Sequence, residues 1–132
     1  MGIITVALAA NATRSQKIVV PFECDASAEV GDWVYFDSVT DSKVIVAANN
    51  ASVRPVVGVI ERKRNSTTAD VLFLGTFEDV TLSLVKGDTV YLDSNGVAVT
   101  TAPVTGIFQV VGVAVSATEL FVKPELRRVR RG

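Results

Sequence analysis

The sequence has no histidine and a single cysteine, Cys24. Without histidine, the chain lacks the commonest general base and the commonest metal ligand of proteins. One cysteine cannot form a disulfide within the chain, and the acids Glu23 and Asp25 on either side of Cys24 do not favour a reactive thiolate. Cys24 is therefore predicted to be a small buried residue. These absences argue against Ser–His–Asp hydrolases, cysteine proteases and histidine metal sites.

Other functional signals are also missing. No apolar run approaches the ~20 residues needed to cross a bilayer. Residues 3–10 follow no basic residue, so no classical secretion signal is expected. The glycine patterns of phosphate-binding loops are absent. With 13 basic and 14 acidic residues, the net charge of −1 gives no overall field that attracts nucleic acid or a membrane. We expect no cofactor, metal, small-molecule substrate or membrane partner.

Apolar residues, by contrast, are plentiful. They make up 48% of the 132 residues, while charged residues make up 20%, somewhat below the ~25% typical of soluble domains. A chain of this length suits one domain, or two very small ones that share a core. Part of the apolar surplus is expected at an interface. The chain is expected to be either a homo-oligomer, for which a trimer is favoured, or a monomer that becomes ordered only on its partner.

The strongest internal signal is a repeat. Residues 31–38 (GDWVYFDS) and 87–94 (GDTVYLDS) share six of eight positions and begin 56 residues apart. A Val-Gly-Val triplet then recurs at 57 and 111, and a Leu-Phe pair recurs at 72 and 120. The order is kept while the offset falls to 54 and then 48. This is the pattern expected of a duplicated unit that lost loop residues in its second copy.

Each copy has the signals of strands joined by turns. Gly-Asp favours a turn, Val-Tyr-Phe or Val-Tyr-Leu favours a strand, and Asp-Ser ends it. Return strands are predicted at 44–46 and from 97 to 101, and the glycine of Val-Gly-Val permits a bulge or a close backbone approach. We predict an all-β fold, a β-barrel or sandwich built from two pseudo-repeated strand–turn–strand units.

The flanking segments complete the predicted organisation. Strands are predicted at 3–8, 17–22 and 78–84, and residues 126–131 could form only a helical turn. The predicted boundaries are an N-terminal arm with the first strands at 1–27 and a duplicated β-domain at 28–123. The first copy covers about 28–77 and the second about 78–123, and a basic tail follows at 124–132.

Three groups of residues are candidates for binding a partner. Arg62, Lys63 and Arg64 form a basic cluster that is either a solvated hairpin tip or a contact for an acidic surface. The segment 127–131 holds four of the thirteen basic residues, namely Arg127, Arg128, Arg130 and Arg131. It is either a free tail or an arm that docks on an acidic neighbour or on nucleic acid. Trp33 and Tyr35 are either core residues or interface anchors.

Paired carboxylates are the one remaining basis for catalysis. Asp32, Asp37, Asp88 and Asp93, however, all lie at predicted strand ends, where aspartate commonly forms turns. The turn role is favoured, and we expect that the protein is not an enzyme. Nucleic-acid binding is also disfavoured, because the basic segments contain no interleaved aromatic residues for base stacking.

The repeated motifs resemble those of tailed-bacteriophage capsid decoration (cement) proteins and of related phage head and tail accessory β-proteins. The likeness lies in Gly-Asp-x-Val-Tyr-x-Asp, a proline-bearing loop, Val-Val-Gly-Val and a following Leu-Phe, over about residues 28–123. It implies a non-enzymatic β-module, made in the host cytoplasm, that binds the major capsid protein or another virion protein. The expected location is the capsid surface, where such modules often assemble as trimers.

The leading functional hypothesis is thus a virion structural protein that binds and stabilises the outside of a phage capsid shell. Repeated copies that bridge neighbouring shell subunits would multiply weak contacts. A tail, neck or fibre component is the first alternative. A small nucleic-acid-binding β-barrel that uses the basic C-terminal tail is the second.

Overall fold

The computed structural model describes residues 17–47, 54–104 and 106–131 and is all-β, as predicted. The strands are β1 (Ile18–Glu23), β2 (Trp33–Phe36), β3 (Val44–Val46), β4 (Gly58–Asn65), β5 (Thr68–Glu78), β6 (Thr89–Leu92), β7 (Ala98–Val99), β8 (Gly106–Ala114), β9 (Glu119–Val122) and β10 (Arg128–Arg131). All ten belong to one curled, antiparallel sheet. The described ranges contain no helix that could span a membrane.

The repeat is visible in the order in which strands pair. In the first half the order is β3-β2-β4-β5-β1, and in the second it is β7-β6-β8-β9-β5. Each half is therefore a five-stranded unit with the same topology, which we call unit one and unit two. Strand β5 serves both: residues 68–74 are the fourth strand of unit one, and residues 75–78 are the fifth strand of unit two.

This pairing adds β1 to the repeat. Val19 of β1 lies opposite Leu72, and Thr76 in the second half of β5 lies opposite Phe121 in the same way. The sequence alone assigns β1 to the N-terminal arm and first strands at 1–27, because the residues of β1 do not resemble residues 75–78. Strand pairing shows that β1 and residues 75–78 occupy equivalent places in the two units, although their side chains differ.

Hydrogen bonds at the Gly-Asp turns repeat with nearly identical lengths. The amide of Gly31 donates to the carbonyl of Ile60, and that of Gly87 donates to the carbonyl of Ala114, both at 2.8 Å. The return bonds, from Ile60 to the Asp32 carbonyl and from Ala114 to the Asp88 carbonyl, measure 2.8 and 2.9 Å. Both glycines have positive φ, 93° and 85°, which favours glycine at each turn.

The glycines of the two Val-Gly-Val triplets are held close to a neighbouring strand. A Cβ at Gly58 would overlap the carbonyl oxygen of Leu72, and a Cβ at Gly112 would overlap that of Phe121. A close backbone approach, one of the two roles that the sequence allows for these glycines, is present at both sites. These contacts also make Leu72 structurally equivalent to Phe121. The repeat in the sequence instead aligns Leu72 with Leu120, which is one residue earlier.

Two apolar clusters fill the fold. The smaller lies inside unit one, where the loop after β1 contributes Cys24 and Ala28, and its other buried members are Val34, Val44, Ile60, Ala69 and Val71. Cys24 is 2% exposed, as expected of a small buried residue. The larger cluster joins the inner face of unit two, including Val90 and Leu120, to the outer face of unit one. The two units consequently share one core.

Two sequence predictions need correction. Residues 78–84 do not form a strand: β5 ends at Glu78, and the Asp79 carboxylate then accepts hydrogen bonds from the amide and hydroxyl of Thr81, at 2.9 and 2.7 Å. This side-chain turn interrupts the alternating pattern. Residues 126–131 do not form a helical turn, because 128–131 pair as β10 with β8. The strand predicted at 3–8 lies outside the described residues.

Candidate functional site

Three of the four aspartates that the sequence left open as paired carboxylates act as turn residues. Asp32 accepts a hydrogen bond from the Glu29 amide at 2.8 Å, and Asp93 accepts from the amides of Asn95 and Val97. The Asp37 carboxylate accepts from the Thr40 amide at 3.1 Å, and this hydrogen bond holds the pKa of Asp37 below its usual value. These carboxylates stabilise backbone turns, which confirms the predicted structural role for the three residues.

Lys43, just before β3, and Asp25, in the loop after β1, form an ion pair in unit one. The Lys43 ammonium lies 2.8 Å from the Asp25 carboxylate, and that hydrogen bond raises the pKa of Lys43. A backbone bridge between Glu23 and Lys43 lies beside it. The pair thus joins the loop after β1 to β3. Over residues 17–47, 54–104 and 106–131, no group of three or more His, Cys, Asp or Glu side chains could hold a metal ion.

The basic cluster on β4 divides into residues with different contacts. Lys63 turns inward, and its ammonium donates to the carbonyl of Ala28 at 2.7 Å and to that of Ser66 at 3.3 Å. Arg64 pairs with Asp70, at 2.7 Å between Nε and Oδ1, and Asp70 is only 6% exposed. Arg62 is exposed. The cluster therefore combines two residues that stabilise the hairpin with one that is presented to solvent.

The different contacts of Lys63 and Arg62 predict effects of different size for two adjacent substitutions. Lys63→Met should lower the free energy of unfolding by about 1–2 kcal/mol, because the carbonyls of Ala28 and Ser66 lose a charged donor. Arg62→Met removes the same charge from an exposed position and should change it by less than about 0.5 kcal/mol. Urea unfolding of both variants measures the difference. Equal losses of stability would contradict the structural role of Lys63.

Trp33 and Tyr35 are placed by the structure against the larger core cluster. Trp33 is 4% exposed and belongs to that cluster, and Tyr35 is partly buried and packs against it. Core packing, one of the two roles considered from sequence, is therefore what Trp33 does in this fold. An anchor role for Trp33 would require a surface that this conformation does not offer.

The basic C-terminal segment is fixed to the sheet. Val129 of β10 lies opposite Phe108, and Arg128 and Arg130 lie opposite Gln109 and Ile107. Arg127, just before the strand, is exposed. The segment is a strand and not a free tail.

Sequence reasoning missed Gln109, a polar residue buried to 3% exposure. Its side-chain amide donates to the carbonyls of Val56 and Glu125 at 2.9 and 2.7 Å, and its oxygen accepts from the Val56 amide at 2.8 Å. Gln109 therefore connects β8 both to unit one and to the segment before β10. The available signal was a lone glutamine within the apolar run 106–114.

No protein-family model matches the chain, and no curated protein sequence matches it. The residues and contacts of the chain itself are therefore the basis of its proposed function.

Proposed function

We propose that this protein is a virion structural protein that binds the outside of a phage capsid shell and stabilises it. The observation that carries the proposal is the presentation of basic residues on ordered backbone: Arg62 on β4, and Arg127 beside β10. Residues on an ordered backbone lose less backbone conformational entropy on binding than residues of a free tail do. The motif resemblance supports a capsid shell as the acidic partner.

The shared core also supports this role. Because the larger apolar cluster contains residues of both units, the units are held together as one body. A rigid module that contacts neighbouring shell subunits stabilises the shell by multiplying weak contacts over many copies. The major capsid protein is the proposed partner, and the capsid surface is the proposed location.

The test is a binding titration with shells assembled from the major capsid protein of the phage that this proposal implies. We expect saturable binding at low salt, weakening as salt rises because exposed ion pairs are screened. The double variant Arg62→Gln, Arg127→Gln should bind roughly tenfold more weakly, at about 0.7 kcal/mol for each interfacial pair. The substitutions leave β10 in place, which deletion of 127–132 would not.

The matched control is Arg54→Gln, Lys86→Gln, which removes the same charge from two other exposed positions. It should bind the shell as the native chain does. Absence of shell binding by the native chain at low salt would overturn the proposal. So would equal binding to a DNA duplex of matched charge, which would favour the nucleic-acid alternative.

A further inference from the structure

The contact between the two units joins a different face of each. Unit one contributes its outer face, on which Trp33, Val59 and Leu72 are buried cross-strand partners. Unit two contributes its inner face, which includes the buried residues Leu92 and Val122. All five residues belong to the larger apolar cluster. Within the chain, the outer face of one unit therefore covers the inner face of the other.

The matching inner positions of unit one are not covered in the same way. The repeat makes Phe36 the counterpart of Leu92, and the equivalence of Leu72 with Phe121 makes Phe73 the counterpart of Val122. Phe36 is 40% exposed, although its counterpart is buried. Phe36 and Phe73 form a cluster with the ring of Phe22, and the three ring centroids lie 5.2–6.3 Å apart. We call these three residues the aromatic patch.

A groove opens beside the aromatic patch. It has a volume of about 520 Å³ and is lined by Phe22, Phe36 and residues 37–43, which connect β2 to β3. Val39, one of its lining residues, is 87% exposed. Aromatic and aliphatic side chains exposed together around a groove are typical of a surface that receives an apolar side chain of a partner.

Unit two has the complementary surface, an exposed outer face. Val113 and Phe121 are the counterparts of Val59 and Leu72 and are direct cross-strand partners on β8 and β9. They are 45% and 39% exposed, whereas both counterparts in unit one are buried. We call Val113 and Phe121 the outer strip. Each half of the contact between units thus has an exposed apolar counterpart on the other unit.

We infer that the outer strip of one copy of this chain packs against the aromatic patch of a second copy. This contact repeats between chains the contact that joins the two units within each chain, where an outer face covers an inner face. Each chain has one exposed counterpart of either face, so a second copy presents the surface that matches each of them. The inference goes beyond shell binding and does not depend on it.

A contact of this kind is head-to-tail, because the two surfaces that meet are different. It builds a closed ring where the rotation between copies returns to the start, and an open chain where it does not. An isologous contact, by contrast, would join two aromatic patches or two outer strips. The two kinds of contact respond differently to substitutions in a single surface.

Sedimentation equilibrium on the full chain tests the head-to-tail contact. The native chain should associate at micromolar concentration. Phe36→Lys in the aromatic patch and Phe121→Lys in the outer strip should each weaken association at least about 30-fold, because an apolar ring at the interface becomes an unpaired charge. An equimolar mixture of the two variants at 100 µM should form a 1:1 pair. In that pair, the intact strip of the first variant meets the intact patch of the second.

Thermal unfolding establishes that each variant is folded. Val39→Lys places the same charge on the groove without removing a ring contact, so it tests the aromatic patch independently of Phe36. Leu126→Lys, at a residue that is 67% exposed and outside both surfaces, is the matched control and should associate as the native chain does.

A native chain that stays monomeric at 100 µM would overturn the inference. So would native-like association of Phe36→Lys or of Phe121→Lys alone, which would indicate an isologous contact through the remaining surface, and so would a mixture that forms no pair. Shell binding is measured separately. Shell binding by a monomeric chain would remove only this inference, and association without shell binding would remove only the proposed function.

Discussion

Replacing either Gly58 or Gly112 with alanine should lower the free energy of unfolding by about 3 kcal/mol or more. In each case the new methyl group would occupy the position of a carbonyl oxygen on the next strand, that of Leu72 or Phe121. A backbone atom cannot rotate away as a side chain can, so the strands must separate and lose ladder hydrogen bonds. The close approach is the same in both units, and the two losses should therefore be similar.

Chemical denaturation of Gly58→Ala and Gly112→Ala measures the effect, and Gly87→Ala is the control. Gly87 has a positive φ of 85°, but a Cβ there meets nothing within 4 Å. Its substitution should cost only the backbone strain, about 1–2 kcal/mol. A native-like midpoint for either of the first two variants would contradict the strand contact at that glycine. A loss as large in Gly87→Ala would show that backbone strain, not overlap, dominates.

The sequence predicts the local features of the fold well because they depend on adjacent residues. The Gly-Asp turns, strands β2 and β6, and the return strand β3 all follow from motifs of a few letters. The lengths of the hydrogen bonds at the two Gly-Asp turns agree to within 0.1 Å. Turn chemistry and β-propensity act over short stretches of chain, so one sequence is sufficient to detect them.

Longer-range features could not be predicted in the same way. Strand β5 joins the two units, and β1 is equivalent to its second half, although the residues of these two strands differ. The alignment of Leu72 with Leu120 is displaced by one residue, since strand register and not residue identity sets the equivalence. Strand β10 forms because β8 offers residues 106–109 as an edge to pair with. Pairing of this kind depends on the assembled sheet.

In the candidate site, too, the sequence predicts local features but not those that depend on packing between distant residues. In the sequence, Arg62, Lys63 and Arg64 form one group because all three are positively charged. In the structure, Lys63 points away from solvent and donates a hydrogen bond to the carbonyl of Ala28, in the loop after β1. Trp33 and Thr89 occupy equivalent positions, yet Trp33 is buried because unit two covers unit one. Which of two equivalent faces is covered is a property of how the units pack.

Gln109 connects three parts of the molecule, and its replacement is expected to have the second-largest effect. Gln109→Leu keeps the approximate side-chain size and removes all three hydrogen bonds, to Val56 and to Glu125. Val56 is 1% exposed, so its amide and carbonyl would lose partners where water has little access. We expect a loss of about 2–4 kcal/mol in the free energy of unfolding.

The position of the bonds gives this prediction a second readout. Because one bond holds the Glu125 carbonyl just before β10, amide hydrogen exchange at residues 128–131 should accelerate in Gln109→Leu relative to exchange in β2. Ile107→Val removes one methyl group from the same strand and is the control, with a loss of at most about 1 kcal/mol and unchanged β10 exchange. If Gln109→Leu unfolded at the native midpoint, the buried bonds would contribute nothing to stability. If it were destabilised while β10 stayed protected, Gln109 would stabilise the contact between units but would not anchor the C-terminal strand.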